Sequence, residues 1–221
     1  VRQNPQNPQL RVAIANYYLE GGMTNQAIQQ IQQALAINPN DQNAMIVLGS
    51  AYQKMGNLDP AIAEFNQVVE LNKDNPMARI DPRIQGVYYE LGSLYSQQGK
   101  YTEAATALKH ALEINVTDAD AHYALGVVYQ NQSDYANAAT EFKQAIRFIP
   151  DFAEAYQGLA TNAAALGNAA EAQYAGAMAQ LLQGNSANAA AQLQDLIAQS
   201  PNFKQAYFGL GLADEKLGKR D

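Results

Sequence analysis

The chain has 221 residues, 48% of them hydrophobic and 16% charged, with Lys+Arg 14 against Asp+Glu 21 and a formal net charge of -7. With 0 cysteines it can make no disulfide, thiolate nucleophile or cysteine-ligated zinc site. Its basic residues are scattered rather than clustered as phosphate neutralisation requires, so no nucleic-acid partner is expected.

Taken in order, Val1 to Gln9 is expected to be the tail of a preceding unit, since Pro5 and Pro8 interrupt a helix. Helices are predicted at 8–21 and 24–37, turning at Gly21-Gly22. A second pair is predicted at 41–55 and 58–71, with Asp41 as a cap, Gly56 in the turn and Pro60 near the start of the second helix. From Asn75 to Ile84 the pattern is interrupted by a stretch holding Pro76, Pro82, Arg79 and Arg83. An ordered or semi-ordered loop is expected there. It is either a tolerated insertion or a contact surface carried by Arg79 and Arg83, the one local positive spot. Helices at 84–98 and 101–114 follow, with Gly99 between them.

Ala119 to Pro150 is the clearest pair. Its first helix carries Tyr123, Leu125, Gly126 and Tyr129, and its second Ala138, Ala139, Phe142, Ala145 and Ile146, with Pro150 closing it. Small residues stand where two backbones approach and large ones fill the space beside them. Ser133 occupies the turn. A further first helix is predicted at 152–166. After Gly167 the order slips: Tyr174, Leu181 and Gly184 read as another first helix, 187–200 as a second, and 203–218 as a first. Either a second helix is lost or a first helix is duplicated, and stacking is expected to adjust between 167 and 185.

The same slots recur at about 34 residues. Gly126 is echoed by Gly92, Gly49 and Ala15; Tyr129 by Tyr95, Tyr52 and Tyr18; Phe142 by Leu108, Phe65 and Ile31; Ala138 by Ala104, Ala61 and Ala27. With these residues the chain resembles tetratricopeptide repeat (TPR) proteins. The resemblance implies an all-α, right-handed α-solenoid, a superhelix of antiparallel helix pairs. It would be one array over 1–221, with units at about 8–41 and 42–75, an insertion at 76–84, then 85–118, 119–152, a half unit at 153–169, 170–203 and 204–221.

It further implies a protein–protein interaction scaffold that holds an extended peptide or a helix of a partner against its inner face. The residues expected on that face are Asn16, Asn43, Ser50, Tyr89, Ser93, Tyr123, Gln130, Tyr174 and Phe208, an aromatic series among uncharged polar groups. The alternative is a permanent structural subunit of a larger membrane or envelope complex, binding through edges and convex surface. One TPR subgroup clamps a ligand's terminal carboxylate. Here Asn16 fits one clamp position, but Val12, Val47, Gly86 and Glu90 fill the others, so recognition of an acidic tail is not expected.

Asp118, Asp120 and His122 superficially resemble metal ligands, but residues i and i+2 on a helix face different ways. A capping Asp118 and a packed His122 are expected instead, with His110 solvated on an outer helix. No cofactor and no enzymatic activity are expected, since no phosphate-binding glycine loop or nucleophile–base arrangement is present. No apolar run reaches the ~18 residues of a membrane span, so no direct insertion of this segment is expected. The segment is expected to be soluble and to belong to a longer bacterial protein, with membrane anchoring of that protein left open. Its compartment is left open, and so is self-association through the array ends.

Overall fold

The computed structural model describes residues 7–219, which form two compact units, one ending at Val116 and the other beginning at Thr117. Expectations for residues 1–6, including the broken tail at Pro5, and for residues 220–221 lie outside the described residues. The described residues are helical, with no strand.

The first unit contains α1 (Pro8–Glu20), α2 (Thr24–Ile37), α3 (Gln42–Lys54), α4 (Leu58–Asn72), α5 (Pro82–Gln97) and α6 (Tyr101–Ile114). Each odd helix packs antiparallel on the even helix after it. The reason is a size match sixteen residues apart. Ala15 and Ile31 are both fully buried. A Cβ on Gly49 would stand 2.9 Å from the Phe65 ring, and one on Gly92 would stand 2.5 Å from Leu108 Cγ. The missing side chain is what lets the large one reach the opposite backbone.

The turns inside pairs share one geometry. Gly22, Gly56 and Gly99 lie at φ 72, 74 and 72. The next amide closes on a carbonyl five residues back, as in Asn57 N to Tyr52 O at 2.9 Å. This left-handed step is nearly free for glycine.

The interruption after α4 is ordered. Asn75 caps a 3-10 helix, Pro76–Ile80, by accepting from Met77 N at 3.1 Å. Asp81 then caps α5 by accepting from Arg83 N at 2.9 Å. Both prolines sit in first turns, where a missing amide hydrogen costs nothing. Arg83 is therefore a helix residue, a correction to the expected loop. α5 starts at Pro82 rather than at 84.

The second unit contains α7 (Ala119–Asn131), α8 (Tyr135–Phe148), α9 (Ala153–Ala165), α10 (Ala169–Leu182), α11 (Ser186–Gln199) and α12 (Lys204–Lys216). Phe142 is its central wedge. It is 1% exposed, and the absent Cβ atoms of Gly126 on α7 and Gly158 on α9 would stand 2.9 and 2.5 Å from its ring. Ser133 takes the left-handed turn position at φ 60, strained for a residue with a Cβ.

α10 is entered and left through the same kind of turn. Asn168 N closes on Ala163 O at 2.8 Å, and Asn185 N closes on Gln180 O at 2.9 Å. It packs on α9 and on α11 and also touches α12.

Candidate functional site

α1, α3 and α5 present one concave groove of about 450 Å³ within the first unit. Helical periodicity decides which side chains reach it. α3 contributes Asn43, Ile46, Val47 and Ser50, and α5 contributes Arg83, Gly86, Val87 and Glu90, each set spaced three or four residues apart on one face. Val12 and Asn16 of α1 complete the wall, and Phe65 reaches it from α4. Asn16 and Asn43 are exposed and Ser50 is half-buried. The structure thus brings three of the expected face residues together. It adds Arg83, expected on a separate contact surface, and Glu90, which was not expected as a binding residue.

The two charged residues differ. Arg83 meets Asp81 with two nitrogens, Nε to Oδ1 at 3.2 Å and Nη2 to Oδ2 at 2.7 Å. Its Nη1 donates to Asn43 Oδ1 at 3.2 Å, fixing that amide at the groove edge. The Arg83 hydrogen bonds hold the Asp81 carboxyl below the usual carboxylate range. Glu90 is half-buried and accepts from Gln53 Nε2 at 2.8 Å. The Ser50 hydroxyl donates to Ile46 O at 3.0 Å, leaving its lone pairs for a donor. The arrangement offers uncharged donors and acceptors together with the Glu90 carboxylate beside an aliphatic wall.

Tyr89 is half-buried on the same helix, outside the groove lining, and Ser93 accepts from Gln97 Nε2 at 3.3 Å. In the second unit Tyr123 and Tyr174 are half-buried, each with its ring against neighbouring aromatic rings. The Tyr123 ring lies 4.9 Å from that of Phe152 and 5.7 Å from that of Phe142. The Tyr174 ring lies 5.6 Å from Phe203 and 6.4 Å, edge-on, from Tyr156. Burial first, then Tyr174, pushes the Tyr156 hydroxyl far above the ordinary tyrosine range. Gln130 accepts from the fully buried Asn162 at 2.7 Å. Phe208 alone of the four aromatics is widely exposed, at 65%.

Arg79 sits apart from Arg83, in a cleft of about 590 Å³ with Lys73, Tyr88, His110 and Glu113. His110 is not simply solvated: its ring lies 5.1 Å from that of Tyr88, and Nδ1 lies 3.0 Å from Glu113 Oε2. Asp118 caps α7 through Ala121 N at 3.0 Å. His122 is buried 2.7 Å from Glu141 Oε2 and stacked on Phe148. Among the described residues no three acidic or histidine side chains are grouped to hold a metal. No helix there is long and apolar enough to cross a membrane.

Four family models match the chain. One described as "TPR repeat" covers residues 92–133. Three described as "Tetratricopeptide repeat" cover 18–80, 119–152 and 174–219. A curated relative, Superkiller complex protein 3 of Homo sapiens, is 33% identical over 88 residues, 40% of this chain and 5% of its own length. The chain therefore matches only a small part of that protein. Among solved structures, "Crystal structure of MamA protein" is similar with TM-score 0.72 and 24% identity, covering 84% of this chain and 96% of that one. "Crystal structure of YrrB: a TPR protein with an unusual peptide-binding site" is similar with TM-score 0.66 and 17% identity, covering 94% and 93%. At these identities the likeness is one of fold, an α-solenoid.

Proposed function

The chain belongs to the tetratricopeptide repeat family of protein-interaction scaffolds, and on that premise we propose that it binds an extended peptide segment of a partner protein in the groove of its first unit. One observation carries this reading: α1 and α3 direct Asn16, Asn43 and Ser50 into a single concave space that α5 also lines, with an aliphatic wall. An extended backbone has unpaired amides and carbonyls every few ångströms, which such side chains can satisfy while Ile46 and Val47 take up apolar side chains. A neighbour whose title names a peptide-binding site supports the analogy. Tyr123 and Tyr174 are engaged inside the second unit, so the aromatic anchoring expected from the sequence has little part in this reading.

The rival reading, a subunit fixed through its outer surface, also has an observation behind it. Met77 and Ile80 are 63% and 67% exposed beside Arg79 on the 3-10 turn.

Gly86 separates the two. It lies in the groove, and a Cβ placed there meets nothing within 4 Å. Gly86→Trp should therefore fill the groove without disturbing the fold, and a helix-interior glycine replaced in this way loses none of its packing. A library of capped random octapeptides should contain binders of the wild type whose affinity falls tenfold or more in the variant, a loss of about 1.4 kcal/mol. Binders that ignore the tryptophan would favour the outer surface instead.

A further inference from the structure

We infer that Glu90 makes the first-unit groove selective for a peptide carrying a basic side chain, lysine or arginine. The inference rests on the groove reading and goes beyond it by naming the chemistry of the bound segment. Glu90 Oε2 accepts one hydrogen bond from the neutral Gln53, and among the described residues no cation lies within ion-pair distance of its carboxylate. The other charged side chain lining the groove, Arg83, is already committed to Asp81 and Asn43. It also stands seven residues away on α5, about 10 Å along the axis, too far to neutralise Glu90 by contact. The groove thus holds one unbalanced, half-buried negative charge. Partial burial deprives a carboxylate of water, and a ligand cation restores that loss through a charge-assisted hydrogen bond.

The space beside Glu90 suits a long basic side chain. Gly86, one helical turn earlier on the same face, leaves room for it to enter. Ile46 and Val47 line the wall on which its methylene stem would lie. An acidic segment would meet the same carboxylate as a repulsion.

The test takes the octapeptides whose binding Gly86→Trp abolishes. For those with a lysine or arginine, each is remade with norleucine at that position. On the wild type the norleucine twin should bind roughly tenfold more weakly, the effect of one hydrogen bond to a charged group. On Glu90→Gln, which keeps the shape and the acceptor for Gln53, the two twins should bind alike. Glu103→Gln removes the same charge from an exposed site on α6 and should keep the difference. Groove-dependent binders that contain no basic residue, or a preference that survives Glu90→Gln, overturn this inference and leave the groove reading standing. Finding no groove-dependent binder at all overturns both.

Discussion

Phe142→Ala is expected to destabilise the second unit by about 3–5 kcal/mol, the range for removing a fully buried phenylalanine. Its ring is the wedge between α7, α8 and α9, pressed by Gly126 and Gly158 and lying 5.7 Å from that of Tyr123. Removing it leaves two glycine backbones facing a void. Neither can fill it, because neither has a side chain to turn inward. A unit of this size is stable by only about 5–15 kcal/mol, so the loss is a large share of the whole. Neighbour-to-neighbour stacking confines the damage, so the second unit should melt well below the first and thermal unfolding should show two transitions. One transition at the wild-type temperature would show that the ring is not a wedge.

Gly126→Leu approaches the same place from the other side. The Cβ alone would stand 2.9 Å from Phe142, and the ring cannot retreat because Gly158 lies behind it, where a Cβ would be only 2.5 Å away. Overpacking typically costs about 1–3 kcal/mol. Here the upper end is expected, since α7 and α8 must separate, and the better helix propensity of leucine returns only about 1 kcal/mol. Calorimetry should again show the second unit melting first. The contrast with Gly86→Trp is direct: both glycines are in helix interiors, but one faces a ring and the other faces open space. If Gly126→Leu leaves calorimetry unchanged, α7 and α8 do not cross at Gly126.

The pairing of helices was legible because it is written in sizes. Gly49 with Phe65, Gly92 with Leu108 and Gly126 with Phe142 recur sixteen residues apart. The same spacing running forward from Phe142 reaches Gly158, whose missing Cβ admits the ring from the other side. Asn16, Asn43 and Ser50 were legible as groove residues because their helices follow the plain period. Gly86 and Glu90 fell beside them as clamp positions, but Arg83 did not, because the insertion hides where α5 begins. The Asp81 cap starts it at Pro82, and that start sets Arg83, Gly86 and Glu90 on one face. The ring contacts of Tyr123 and Tyr174 were illegible for another reason. What a tyrosine ring touches is decided by residues distant in the chain, here Phe142, Phe152, Tyr156 and Phe203.

The central claim is that the first-unit groove holds a peptide, and photo-crosslinking tests it most directly. A benzoylphenylalanine is placed either at Ser50, inside the groove, or at Gln29, exposed on α2. Each protein is irradiated with the same selected octapeptide. Labelling is expected at position 50, and an excess of unlabelled peptide should suppress it. Labelling at position 29 that equals or exceeds that at position 50 would contradict the account and place the peptide on the outer surface.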